Sequence, residues 1–372
     1  MRLRDGNGVR MRRNVTILGG GNGARAAAAE LSLLGHGITL YEARAFRDQL
    51  NEVAAASEIT AVGEIEGVAR LRVEADLEEA VADADLILIV VPTNVQRYFA
   101  ERLAPLLADG MNVALMPGSL GSLEFAEVLR GLGVAADITI TEFAALPYAT
   151  RIETPTRVRV FGRRKIVAAG VFPADATDRV APILADLYPG IEILRDVLEA
   201  GLNNPNPTLH CLGVLLSASR IEYSRGEFYY YEEGLTPHVC QAVEAIDEER
   251  LSIGRALDLD ILSLKDTYWK MGYGPKGDSF WSVIRGVAAL QGIKGPMTVD
   301  SRYLTEDVPI GLTIYSQLGA QIDVGTSIMG SVITLAGALL GRDFRAEGRT
   351  VQRCGIAGMS AARLREYVTN GR

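Results

Sequence analysis

The sequence predicts an α/β protein: a doubly wound parallel sheet in the N-terminal half, followed by an all-helical C-terminal domain. Three observations predict it. Short β-branched apolar runs alternate with helical patterns through the first half, as in a parallel sheet with helices on its faces. A glycine cluster separates the first such run from an alanine-rich helix. From about Asp196 onward strand-like runs nearly vanish and long helical patterns take over.

The elements follow in order. NVTIL (14–18) reads as a buried parallel strand. ARAAAAELSLL (24–34) is strongly helix-forming and ends at Gly35. ITLY (38–41), DLILIVVP (85–92), MNVALMPG (111–118) and ITIT (138–141) read as further strands, separated by helical patterns such as FAERLAPLL. RVRVFG and KIVAAGVFP, within 157–173, read as an added hairpin-type pair. A helix over 176–187 and a strand over 191–194 close this half. The second half carries VCQAVEAIDEERLSIGRAL, SFWSVIRGVAAL and SIMGSVITLAGALL, each with a helical pattern. The expected divisions are a flexible extension over 1–13, a nucleotide-binding domain over 14–195 and a helical domain over 196–372.

Composition narrows the function. At roughly 150 residues per domain, 372 residues suggest two or three domains. There are 38 basic and 46 acidic side chains, a formal charge of −8, which argues against a nucleic-acid partner. Cys211, Cys240 and Cys354 lie far apart, so neither a disulfide framework nor a cysteine metal site is expected. No metal is expected. The basic N-terminus lacks an apolar h-region, and Met11 offers an alternative start. The longest apolar stretch, 328–340, is shorter than the ~18–20 residues a spanning helix needs. A cytoplasmic protein without a membrane partner is therefore expected, with this apolar stretch as a candidate homodimer contact.

The glycine cluster is Gly19-Gly20-Gly21-Asn22-Gly23-Ala24, a GxGxxA turn. Gly19 suits the tight turn after a strand, Gly21 a close backbone approach to a pyrophosphate, and Ala24 close helix–strand packing. The following helix N-terminus offers N–H groups to the phosphates. The turn sits in a Rossmann-type context, with Glu42 about twenty residues on at the end of the next strand. A carboxylate there binds the adenosine ribose and favours NAD, whereas Arg44, with Arg47, could instead hold the 2′-phosphate of NADP. Pro92, Thr93 and Asn94, and Gly118 within Pro117-Gly118-Ser119, follow strands at the cofactor edge and are candidate nicotinamide-side residues; Thr93 or Asn94 could also cap a helix.

Five strings carry a family resemblance: NNPNPTLH (203–210), YYEEGLTP (230–237), SRYLTEDVPIGL (301–312), PGSLGSLEF (117–125) and DFRAEGRT (343–350). With the GGGNGA turn, they resemble the opine dehydrogenases, from about residue 12 to the end. The resemblance implies a helical domain of the 6-phosphogluconate dehydrogenase C-terminal type. It also implies NAD(P)H-dependent joining of an amino acid amine to a 2-oxo acid, through an imine reduced to a secondary amine dicarboxylate. It implies a catalytic dyad of His210 and Asp307, and a substrate carboxylate held by Arg302. Glu142, Tyr148 and Thr150 match a region that the family uses at its substrate cleft. Norvaline-type members have a cysteine–arginine pair where this chain has Thr150-Arg151.

The chemistry of the residues agrees. Reducing an imine needs a proton donor near neutral pH, the task histidine suits. A buried aspartate on the other ring nitrogen would fix the tautomer, and arginine is the bidentate carboxylate clamp. Each residue also has a structural reading: a helix histidine for His210, a helix N-terminal charge pair with Glu306 for Asp307, a salt bridge for Arg302. Of Asn203, Asn204 and Asn206, one could reach substrate, with Asn206 the candidate; all three could instead cap the helix. His36, in a glycine turn, is expected to be exposed, and His238 to sit at a helix start. The aromatics of 228–231, Trp269 and Trp281 would line an amine pocket or simply pack. Two other functions remain open: a hydroxyacid or ketopantoate-type reductase using Lys265 or Lys270, and a non-catalytic NAD(P)-binding protein.

Overall fold

The structure is a computed structural model that describes residues 10–372. Of the extension expected over 1–13, residues 1–9 lie outside the described residues. Residues 11–13 are tied down rather than loose: the Met11 N–H and the Arg13 guanidinium both donate to Asp186. The chain forms two compact units, one of residues up to Gly201 together with 368–372, the other of Leu202–Tyr367. The observed division thus falls six residues beyond 195, and the last five residues return to the first unit.

The first unit holds twelve strands, β1 Asn14–Leu18, β2 Gly37–Tyr41, β3 Glu58–Gly63, β4 Gly67–Arg70, β5 Arg72–Glu74, β6 Leu86–Ile89, β7 Asn112–Leu115, β8 Thr139–Phe143, β9 Tyr148–Thr154, β10 Arg157–Arg163, β11 Ala168–Phe172 and β12 Glu192–Ile193. Eight form one sheet in the order β12-β11-β8-β7-β6-β1-β2-β5. The stretch β5-β2-β1-β6-β7-β8 is all parallel, the order of a dinucleotide-binding doubly wound sheet. The direction of winding reverses between β1 and β6, so the loops leaving these two strands face the ligand crevice.

The expected hairpin over 157–173 does not form. β10 pairs with β9 and β3 in a separate sheet of order β4-β3-β10-β9, while β11 runs antiparallel to β8 in the main sheet. Burial explains the split. β10 alternates buried and exposed positions, whereas Ala169–Phe172 of β11 are buried without a break, as a strand covered on both faces requires. The small sheet packs on helix Asn22–Leu33. This accounts for the alanine run. Residues Ala24 to Leu31 of that helix are all buried, and only small side chains let it lie between layers on two sides.

The second unit is helical, with long helices Pro237–Ala256 and Ser327–Leu340. SFWSVIRGVAAL is not one helix. A capping box at Ser279 opens a short helix Phe280–Ile284. It ends at Ile284, and a separate 3-10 turn Ala288–Leu290 follows; a Cβ on the intervening Gly286 would overlap the Pro275 ring. Among the described residues no helix is long and apolar enough to cross a membrane, and no group of three or more His, Cys, Asp or Glu could hold a metal ion.

Candidate active site

In the first unit, β1 delivers the glycine turn to the switch point. Gly19 has φ +127°, and a Cβ there would collide with the Val90 carbonyl beyond β6. Only glycine fits. A Cβ on Gly21 would meet nothing within 4 Å, so the turn leaves open space beside the N-terminus of helix Asn22–Leu33. No side chain caps that helix, and its amides and dipole suit a pyrophosphate. Gly23 packs on Leu146 and Val90, and Ala24 is fully buried. The Asn22 carboxamide accepts from the Ile152 N–H at 2.7 Å, so its side chain anchors β9.

Glu42 is buried at the end of β2 and accepts three hydrogen bonds, from the Gly20 N–H (2.7 Å), the Ala43 N–H (2.8 Å) and the Gln49 amide (2.9 Å). The Glu42 carboxylate is therefore fixed to the glycine turn itself. Arg44 is exposed, while Arg47 donates to the Ala75 carbonyl. Thr93 is buried and Pro92 and Asn94 are exposed, at the mouth of β6, where the short turn opens on Pro92 without a side-chain cap from it. These residues fit a dinucleotide. Arg25 was not anticipated. It is buried and donates to the carbonyls of Gly20, Gln49 and Pro155, bracing three segments beside the glycine turn. One charged residue inside an alanine run was its signal.

Three expected substrate residues are placed otherwise. Glu142 is fully buried and accepts from the Leu120 N–H (2.5 Å), the Ser122 N–H (3.1 Å) and the Ser122 hydroxyl (2.5 Å). Its carboxylate thus meets the N-terminus of helix Gly121–Gly131. Gly118 lies against it: a Cβ there would overlap the Glu142 side chain. Gly118 is thus a packing glycine of this cap. Tyr148 is buried, with its hydroxyl on Glu30 (2.6 Å) and near Tyr188 (3.3 Å), and burial pushes the phenol far above its ordinary pKa. Thr150 is buried and donates to the Arg159 carbonyl across the small sheet. His36, expected exposed, is also buried. Its Nδ1 accepts from the Arg13 N–H (3.2 Å) and its Nε2 lies 3.1 Å from the Asp186 carbonyl.

In the second unit, helix Asn206–Leu216 carries His210. Between 201 and 210, Asn206 and His210 alone are not fully buried. They are one turn apart and share a face. Asn204 accepts from the Asn206 N–H (3.1 Å) and Asn203 from the Leu262 N–H (2.9 Å), so these two asparagines are structural. His210 Nδ1 lies 2.8 Å from Asp307 Oδ2. Asp307 opens a π-helical turn, Asp307–Leu312, a geometry common at functional sites. Pro309 within the turn has no N–H to continue a regular helix. Burial raises the Asp307 carboxyl above its ordinary pKa, and the His210 hydrogen bond opposes the rise.

The His210 ring is also stacked on Tyr303, with centroids 4.1 Å apart, and its Nε2 lies 3.4 Å from the Tyr231 hydroxyl. Tyr231 was expected only as one of the aromatics of 228–231 that line a pocket or pack, and Tyr303 was not singled out, although both stand inside the motif strings. Arg302 donates through Nε to Glu306 (2.7 Å), and its side chain is 73% exposed. A guanidinium is the group that grips a carboxylate as a fork, and this side chain is largely open to solvent. Cys211 beside His210 is buried, and burial pushes its thiol well up, so it stays an inert thiol. His238 is exposed at the start of helix Pro237–Ala256.

Comparisons with known proteins agree with this layout. Residues 193–340 match the NAD/NADP octopine/nopaline dehydrogenase alpha-helical domain family, and residues 14–119 match the NAD-dependent glycerol-3-phosphate dehydrogenase N-terminus. An opine dehydrogenase of Arthrobacter sp. (strain 1C) is 35% identical over 355 residues, covering 95% of this chain and 98% of its own. Vitopine synthase of Allorhizobium ampelinum is 28% identical, covering 94% and 97%. The structure of an octopine dehydrogenase with NADH and L-arginine superposes with TM-score 0.75 at 19% identity, covering 97% and 98%. A yersinopine dehydrogenase with NADP+ gives TM-score 0.69 at 16% identity, covering 96% and 98%. A ketopantoate reductase superposes less well, at TM-score 0.58. With a relative this similar over nearly its whole length, and the family's helical domain spanning both His210 and Asp307, this chain belongs to the opine dehydrogenase family and is an NAD(P)-dependent oxidoreductase acting on CH–NH bonds.

Proposed function

We propose that the enzyme condenses the amine of an amino acid with a 2-oxo acid and reduces the imine, with His210 as general acid/base, Asp307 as its orienting partner and Arg302 as the carboxylate clamp. The observation that carries this reading is the 2.8 Å contact between His210 Nδ1 and Asp307. An ionised carboxylate only accepts hydrogen bonds. The proton on the paired side is therefore on Nδ1, which leaves Nε2 to give or take the proton of the reaction. Asp307 also supports the ring when it is positively charged. Bound NAD(P)H supplies the hydride. As the imine carbon is reduced, its nitrogen needs a proton, and Nε2–H of protonated His210 is the donor. In the reverse direction neutral Nε2 takes it back. Arg302 meets a substrate carboxylate through its guanidinium fork, and Asn206, one turn before His210, offers an amide to the same substrate.

Glu42 favours NAD over NADP, because a buried carboxylate held by the glycine turn would repel a 2′-phosphate. The protein acts as a cytoplasmic homodimer in this reading. Its three cysteines are all free, in keeping with a reducing compartment. Ile328, Leu335 and Leu339 are exposed on helix Ser327–Leu340, which supports self-association and is checked by light scattering.

The deciding experiment mixes the enzyme with NADH, a panel of 2-oxo acids including pyruvate, and a panel of amino acids including arginine, and follows absorbance at about 340 nm. Oxidation only when both substrates are present is the expected result. Oxidation with the oxo acid alone would make it a simple reductase. His210→Ala should lose activity by roughly 10²- to 10⁴-fold while still binding NADH.

A further inference from the structure

We propose that Tyr231 is a positioning residue for the proton transfer: its buried hydroxyl holds the reactive Nε2 of His210 and supports the protonated ring, and Tyr303 holds that hydroxyl in turn. The inference rests on the reading of His210 as the general acid/base.

Asp307 fixes one nitrogen of the ring, and a single hydrogen bond leaves the ring free to tilt about it. The other nitrogen faces the Tyr231 hydroxyl at 3.4 Å, a long contact of the kind that tightens when substrate closes a site. Tyr231 and Tyr230 stand on a π-helical turn, Tyr230–Gly234. That turn brings both phenols to one residue. Tyr230 donates to the backbone carbonyl of His210 at 3.0 Å and Tyr231 approaches its ring. The two rings meet edge to face, with centroids 5.0 Å apart. Close packing locks the arrangement, because a Cβ on Gly213 would lie under 3 Å from the Tyr230 hydroxyl. Tyr303 completes it, stacking on the His210 ring while its hydroxyl is bonded to that of Tyr231.

The other groups facing His210 are Asp307 on Nδ1, the Arg302–Glu306 pair beside Asp307, and Cys211 on its own helix. None of these lies on Nε2. Burial holds the Tyr231 phenol far above its usual pKa, so it remains a neutral hydroxyl. A hydroxyl can donate to a bare Nε2 and accept from a protonated one. The second bond is charge-assisted and the stronger of the two. Net support therefore goes to the protonated ring, the form that delivers a proton to the imine nitrogen.

Tyr231→Phe tests this, since it removes one oxygen and keeps both rings. The readouts are the pH profile of kcat/KM for NADH-driven reduction, the KM for NADH and the melting temperature. The expected result is an alkaline limb, where the acid form is lost, moved to lower pH by about half a unit to one unit. NADH KM should stay at its native value, and the melting temperature should fall by no more than a few degrees, the cost of the partner that the Tyr303 hydroxyl loses. Tyr303→Phe should move the same limb in the same direction by less. A Tyr231→Phe profile that superposes on the native one, or moves upward, overturns the proposal. His210→Ala separates the two readings. If it retains turnover, the general-acid assignment itself falls. If it is inactive while the Tyr231→Phe profile is unmoved, only the role of Tyr231 falls.

Discussion

Gly311 lies so close to Pro207 that a Cβ on the glycine would come under 3 Å from the proline ring. Pro207 stands in the first turn of the helix that carries His210, and Gly311 in the π-helical turn that carries Asp307. The contact between His210 and Asp307 thus rests on a close approach between the two elements that carry them. The proline ring cannot swing aside, so Gly311→Ala must push the turn away from the helix. We expect kcat to fall about tenfold or more, with NADH affinity unchanged and a loss of about 1–3 kcal/mol in stability, the usual cost of overpacking. A well-folded Gly311→Ala enzyme with native kcat would break the link between this contact and the dyad.

Arg302 is held by one nitrogen, and its side chain is largely open to solvent. Arg302→Lys keeps the charge but loses the planar fork, and Arg302→Ala loses both. A charged hydrogen bond contributes about 1.5–3 kcal/mol, so the 2-oxo acid KM should rise by roughly 10- to 100-fold in Arg302→Ala. Arg302→Lys should fall between the two, and NADH binding should be untouched. Equal oxo-acid KM in all three proteins would leave the arginine as only a surface partner of Glu306.

The architecture was legible because its signals are local. A β-branched run, a glycine turn and an apolar helix are each written within a dozen residues, and the switch from strands to helices near 196 shows in periodicity alone. The small second sheet was not legible: β10 finds β3 across nearly a hundred residues, a pairing that no local pattern records. His210, Asp307 and Arg302 came from motif strings, and the spatial pairing of the first two is not deducible from a spacing of 97 residues. Glu142, Tyr148 and Thr150 were read for a substrate role because polar residues near a strand's carboxyl end look the same in sequence whether they face a ligand or satisfy buried groups. Only the count of donors around Glu142 tells them apart.

That difference can be measured. If Glu142 closes the helix at Gly121, then Glu142→Ala leaves the Leu120 and Ser122 N–H groups buried without an acceptor. Each such group costs about 1–3 kcal/mol, so the melting temperature should fall by several degrees or more. Glu142→Gln, which keeps one acceptor oxygen, should recover part of the loss. Substrate KM values in the folded fraction should stay native. A raised substrate KM at native melting temperature would return Glu142 to the substrate site.

His36 gives stability a pH dependence whose sign follows from its contacts. Its Nδ1 accepts the Arg13 N–H and its Nε2 faces the Asp186 carbonyl, so the folded state suits the neutral ring with its proton on Nε2. Burial, the largest influence, lowers its pKa below the usual histidine value, outweighing the support that the Asp186 carbonyl gives the proton. In the window between the ordinary value, about 6.5, and the lowered folded one, the unfolded chain binds the proton and the folded chain does not. Stability therefore rises with pH through that window, is fully present above it, and is lost as the solution is acidified. The anchoring of residues 11–13 should loosen in the same range, since a protonated Nδ1 can no longer accept from Arg13. His36→Gln keeps polar contacts but does not titrate, so its melting temperature should change less between pH values of about 7.5 and 5.5 than that of the native protein. The comparison should be made on the difference between the two proteins, because carboxylates titrating elsewhere act on both alike. An identical acid-induced drop in His36→Gln would show that the Arg13–His36–Asp186 contact carries no protonation linkage.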